Sequence, residues 1–188
     1  SGSQHMGSVE ALLRWNHPEK GLIPPDVFIP LAEESGFILE LGSWVLRRAL
    51  VQLTHWRDDP GVPVRSVSVN LSPLQLAHGA FSSDLHSLMV ELGVGAGELE
   101  LEITEGALVQ DFETAAARLS ALRDSGISIS LDDFGVGYSS MQYLSRLPFD
   151  TLKIDKSFVR GLGTEHSSLS IASAIVALAR ALDKRVLA

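Results

Sequence analysis

The sequence has no cysteine among its 188 residues, which excludes disulfides, thiolate zinc centres and cysteine nucleophiles. It also has no apolar run near the roughly 18–20 residues of a membrane span, and no signal peptide is visible. A cytoplasmic location follows as the expectation, with any membrane anchor of the parent protein left to other domains. Positive charge is scarce: 15 Lys and Arg stand against 23 Asp and Glu, a formal net charge of -8. That field disfavours non-specific binding to DNA or to an anionic membrane, so a phosphorylated ligand would need local cations or metal ions. Hydrophobic residues at 45% and charged residues at 20% exclude a disordered chain. The length suits one domain with a sizeable core, or most of a larger one.

Residues 1–8, SGSQHMGS, read as the remnant of an expression tag, so His5 is set aside as a ligand. The domain is then 9–188. It opens inside an apolar segment at Val9 and stops at Ala188, where a new strand is starting, so both ends read as cut.

After the short first strand around Glu10, a Pro-rich link (Pro24, Pro25) leads to a helix near Asp26 that Pro30 should limit or kink and Gly36 should cap. The spacing of Leu41, Val45, Ala49, Leu53 and Trp56 predicts a long helix over 39–57. Strand and helix alternate from there. Strands are expected at 66–71, 99–104, 127–132 and 151–155, and helices at 81–92, 111–125 and 141–146. A final helix leads to a strand beginning near Val186. Asp111 should N-cap the helix that ends before Gly126. Repeated βα units predict a parallel sheet with helices packed on it.

Strands covered by helices on both faces should be continuously apolar. Here Val67, Val69 and Leu71 alternate with Ser68 and Asn70, and Leu99, Leu101 and Ile103 with Glu100, Glu102 and Thr104. Ile127, Ile129 and Leu131 alternate with Ser128, Ser130 and Asp132, and Leu152 and Ile154 with Thr151, Lys153 and Asp155. One polar face on every strand predicts a (β/α)8 TIM-like barrel with that face inward, incomplete in this chain. Asn70, Glu102, Asp132 and Lys153 then gather at the C-terminal ends of the strands, joined by Glu10 and by Asp133, where Gly135 and Gly137 should end the strand.

An isolated Asp-Asp turn is ordinarily a solvated one. Several acids around a single lysine are not balanced by it, and the all-oxygen set suits Mg²⁺, Mn²⁺ or Ca²⁺ rather than zinc. Two chemistries fit: two-metal hydrolysis of a phosphodiester, or proton abstraction by a lysine base beside metal-bound carboxylates. Arg14 favours phosphate slightly. Gly135-Val136-Gly137 would cradle phosphate or form a lid, and is a weak pattern.

Six ordered blocks sharpen the choice. They are Glu10-Ala11-Leu12-Leu13-Arg14-Trp15, Phe28-Ile29-Pro30-Leu31-Ala32-Glu33, Val69-Asn70-Leu71-Ser72, Leu101-Glu102-Ile103-Thr104-Glu105, Asp132-Asp133-Phe134-Gly135-Val136-Gly137-Tyr138-Ser139-Ser140 and Leu152-Lys153-Ile154-Asp155. The sequence resembles the EAL domains, bacterial cyclic-di-GMP phosphodiesterases of signalling proteins. The resemblance implies a modified (β/α)8 barrel hydrolysing cyclic-di-GMP to linear pGpG with two Mg²⁺ or Mn²⁺ ions, with Ca²⁺ as an inhibitor. It implies that Glu10, Asn70, Glu102 and Asp132 hold one metal and that Asp132 bridges to a second, which Asp133 also contacts. Lys153 would orient the attacking water, Arg14 would hold a substrate phosphate, and Asp155 would lie near the site. Glu105 would brace the loop after Asp133, the family's regulatory segment and its route to a homodimer. The family's first strand, with its Gln-Pro pair, should precede Val9, and its Glu-Gly-Val-Glu should follow at Ala188. A chain lacking these is expected to be weakly active or inactive. The alternative is a degenerate EAL domain that serves as a cyclic-di-GMP receptor or a dimerisation module.

Overall fold

Aliphatic residues at every second position form a strand wherever the alternation predicts one. The structure is a computed structural model and describes residues 7–104, 106, 111–135, 141–160 and 166–188. It divides into two compact units, Ser1–Leu101 and Glu102–Ala188, with the division falling inside a strand.

The first unit opens with β1 (Gly7–Ala11), which takes in Gly7 and Ser8 from the segment assigned to the tag. β1 pairs in parallel with β4 (Val64–Asn70), setting Glu10 against Ser68 and Ala11 against Val69. Between them comes a small antiparallel hairpin, β2 (Trp15–His17) and β3 (Gly21–Ile23), that periodicity did not predict. Its turn closes on itself: His17 Nδ1 accepts from the Glu19 and Lys20 amides at 3.1 and 3.2 Å, and Gly21 takes the left-handed φ of 69°.

Helix α1 (Pro25–Glu34) starts with proline at its first position, where no amide partner is lost. It continues through Pro30 to Glu34, so the proline does not end it; the carbonyl deprived of a donor is that of Asp26, in the helix's first turn. Gly36, at φ 75°, ends it as expected. Helix α2 (Ile38–Asp58) buries Ile38, Gly42, Leu46, Ala49, Leu50 and Leu53, which include Ala49 and Leu53 of the predicted stripe, while Leu41, Val45 and Trp56 are half-buried at its edge. Gly42 lies on the buried face, where a Cβ would come 2.0 Å from the Gln75 side chain. Gln75 belongs to the short α3 (Pro73–Ala77), where it and Ser72 form a capping box. Helix α4 (Phe81–Leu92) and a 3-10 turn (Ala96–Glu98) lead into β5 (Leu99–Thr104).

The second unit begins within β5. Helix α5 (Phe112–Asp124) is N-capped by Asp111, whose Oδ1 accepts from the Thr114 amide at 3.2 Å. β6 (Ser128–Phe134), α6 (Met141–Arg146), β7 (Thr151–Ile154), α7 (Lys156–Arg160), α8 (His166–Ala181) and β8 (Arg185–Leu187) follow. β7 pairs in parallel with both β6 and β8. With β5 common to both units, the sheet order is β1-β4-β5-β6-β7-β8, the βα succession of a TIM-like barrel. The apolar positions are fully withdrawn from solvent: Leu99, Leu101, Ile103, Ile129, Leu131 and Leu152 are each at most 1% exposed. No helix among the described residues is long and apolar enough to cross a membrane.

Candidate active site

In the first unit, β1 and β4 bring Glu10 and Asn70 together, the Asn70 amide donating to Glu10 Oε1 at 3.0 Å. Both stand at the C-terminal ends of their strands. The Asn70 amide oxygen and the Glu10 carboxylate are oxygen donors of the kind a hard cation takes. One step earlier on β4, Ser68 Oγ donates to Glu100 Oε2 at 3.1 Å. Arg14 follows β1, with its guanidinium bonded to the Leu13 carbonyl at 2.7 Å and exposed.

In the second unit, the Lys153 ammonium donates to Glu102 Oε2 at 2.6 Å and lies 3.8 Å from Asp132 Oδ1. Glu102 is 2% exposed, and a carboxylate so placed is stabilised only by cations or hydrogen bonds. Asp132 and Glu102 each offer an oxygen within 4.8 Å of the other.

Asp133 lies at the exposed end of β6. Partial burial of its carboxyl, then the charge of Asp132, then the hydrogen bond and charge of Asp155 push its pKa above the ordinary aspartate value, with Lys156 opposing. Asp155 is held below that value by Ser157, whose amide donates to Asp155 Oδ1 at 2.8 Å. Glu102 and Asp132 thus flank the Lys153 ammonium, while Asp133 and Asp155 face each other beside Lys156. Carboxylates set this close together fit a divalent cation, which relieves their repulsion and takes oxygen ligands only.

The strand did not end at the aspartates as expected. β6 runs on to Phe134, with the register to β7 shifting between Leu131 and Phe134, and Asp133 takes the left-handed φ of 53°. Gly135 follows at φ 103°; a Cβ there would approach Phe158 to 2.8 Å and Ile175 to 3.1 Å. Ser157 and Phe158 were missed by sequence reasoning. Ser157, two residues beyond an acid at a strand end, carried a findable signal, since Asp side chains accept from the amide two residues on. Glu105 and the loop at 136–140 lie outside the described residues.

A parallel βα sheet with acids and one lysine at its strand ends defines an α/β domain of the TIM-like barrel class with an acidic, cation-suited centre. The chain belongs to the EAL domain family, whose model matches residues 1–188. It is 43% identical over 183 residues to the bifunctional diguanylate cyclase/cyclic di-GMP phosphodiesterase MucR of Pseudomonas aeruginosa, covering 97% of this chain and 27% of that protein. It is 42% identical over 181 residues to the cyclic di-GMP phosphodiesterase PdeR of Escherichia coli, covering 96% and 23%. The chain thus spans about a quarter of the length of these curated relatives. Among solved structures it is similar to the PaMucR phosphodiesterase in complex with c-di-GMP. That match has a TM-score of 0.87 and 42% identity, covering 94% of this chain and 71% of that one.

Proposed function

We propose that this chain is a cyclic-di-GMP phosphodiesterase domain that hydrolyses its substrate to linear pGpG. The observation that carries the reading is the Lys153 ammonium set 2.6 Å from buried Glu102 and 3.8 Å from Asp132, at motif positions of a family whose named relatives include such phosphodiesterases. In this reading Glu10, Asn70, Glu102 and Asp132 are ligands of one Mg²⁺ or Mn²⁺ ion, and Asp132 and Asp133 of a second. The ions would supply charge neutralisation for the phosphodiester and activation of water at neutral pH. Lys153 orients the water by donating a hydrogen bond from its ammonium, with Glu102 holding that ammonium in place. Glu10 keeps Asn70 turned by accepting from its amide. Arg14, whose guanidinium already stands in solvent, rotates to a substrate phosphate, and Asp155 fixes the carboxyl of Asp133. Glu105 braces the following loop, through which two copies pair, and the domain works in the cytoplasm.

The test is chromatographic separation of cyclic-di-GMP and pGpG after incubation with Mn²⁺. Slow product formation by the protein, lost in Glu102→Gln and in Lys153→Met, is expected. Cyclic-di-GMP binding by calorimetry without any pGpG would replace hydrolysis with the receptor role.

A further inference from the structure

The polar face of the second unit contains a feature that metal ligation does not use. Ser130 on β6 and Thr151 on β7 are 0% and 7% exposed. Neither hydroxyl has a hydrogen-bond partner among the described residues. The two residues are register partners in the parallel ladder, so their side chains leave the same face side by side. They sit one side-chain step before Asp132 and Lys153 on the same strands. The contrast with the first unit is direct, since there Ser68 on the polar face of β4 does find a side-chain partner, Glu100.

A buried hydroxyl without a partner costs about 1–3 kcal/mol, and two adjacent ones would double that penalty for no structural return. Neighbouring strands lie about 4.8 Å apart, so hydroxyls on the same face of paired residues are close enough to share one water. Each hydroxyl supplies a donor and an acceptor, so the two together meet the two-to-four partners that a buried water requires. We infer that Ser130 and Thr151 form a binding site for one internal water, which ties β6 to β7 directly beneath the residues that carry Asp132 and Lys153. Its role is positioning: it couples the two strands laterally. The inference stands independently of the hydrolytic reading, because it rests only on burial, register and hydrogen-bond chemistry.

The variants are Ser130→Ala, Thr151→Val and the double change, with Thr151→Ser as the conservative control. Urea unfolding midpoints of the purified chain are measured for each. Water held by both hydroxyls predicts a lower midpoint for each single variant. It also predicts a double variant hardly worse than the worse single one, since the same water is lost only once, and a near-native midpoint for Thr151→Ser. Oxygen-17 relaxation dispersion reads the water itself, and its amplitude should fall by one long-lived molecule in Thr151→Val. A Thr151→Val midpoint equal to or above that of the parent overturns the inference, because removing a dry hydroxyl is neutral or stabilising. An unchanged relaxation amplitude in a folded Thr151→Val protein overturns it equally.

Discussion

Replacing Lys153 with Met tests how far the acidic cluster depends on a cation. The substitution preserves length and apolar stem but removes the charge 2.6 Å from Glu102 and 3.8 Å from Asp132. Breaking a buried ion pair by deleting one partner costs about 3–5 kcal/mol, most of it the penalty of a carboxylate left in a poorly solvated place. Glu102 is 2% exposed and meets that condition; the Lys153 side chain is 16% exposed, which moves the expectation toward about 3 kcal/mol. For a domain whose total stability is about 5–15 kcal/mol, this is a large fraction. The double variant Glu102→Gln/Lys153→Met removes the offending charge together with its partner, so most of the loss should return. A divalent cation should act in the same direction, adding about 2.7 kcal/mol at a hundred times its dissociation constant. Chemical denaturation with Mn²⁺ and with EDTA measures all three quantities. A Lys153→Met protein within about 1 kcal/mol of the parent in EDTA would refute the reasoning. So would a double variant as unstable as the single one.

Gly135→Ala should destabilise by about 2–5 kcal/mol, the sum of a left-handed backbone penalty and an overpacking penalty. Its φ of 103° and the 2.8 Å approach to Phe158 identify both causes. Phe158→Leu in the same background should return only the contact part, which denaturation separates; full recovery would contradict the backbone part. Asp150 gives the pH prediction. Burial pushes its carboxyl up, but the Ile129 amide at 3.0 Å and the Arg123 guanidinium at 2.7 Å hold it, on balance, below the ordinary value. A carboxyl with a lowered folded pKa contributes stability above its unfolded value, near pH 3.9, and loses that contribution as the pH falls through the folded one. Asp150→Asn should therefore flatten the acid limb of the stability curve below about pH 4, and an unaltered limb would refute the assignment.

What was legible in the sequence follows from the two periodicities. Strands β4 to β7 were readable because one face is uniformly aliphatic, and that same alternation put Asn70, Glu102, Asp132 and Lys153 on one parity. The Asp111 cap and the Gly36 stop were readable because each depends on a residue type with one local task. The β2–β3 hairpin was not readable, since three-residue strands carry no period and its turn is organised by His17 rather than by a glycine pair. The α2 stripe was read only in part, with Ala49 and Leu53, because hydrophobicity alone cannot show that Gly42 is buried against Gln75. Passage through Pro30 was left open because the cost of proline depends on how close it lies to the helix start.

The end of β6 shows why two adjacent aspartates can serve one site at all. In a regular strand neighbouring side chains point to opposite faces, so Asp132 on the polar face would send Asp133 under the helices. The ladder avoids this by inserting one residue: Leu131 pairs with Leu152, and the next pair is Phe134 with Ile154. A bulge of this kind re-aims a side chain, and here it needs a left-handed residue, which Asp133 provides at φ 53°. Aspartate is among the few residues other than glycine that tolerate that conformation, so its backbone and carboxylate requirements coincide. Asp132 thereby keeps its place beside Lys153, Asp133 turns to Asp155, and Phe134 returns to the buried face at 5% exposure. The adjacent acids, which in isolation would read as an ordinary solvated turn, are thus a consequence of strand geometry: a distortion of one residue converts two opposed directions into one acidic centre.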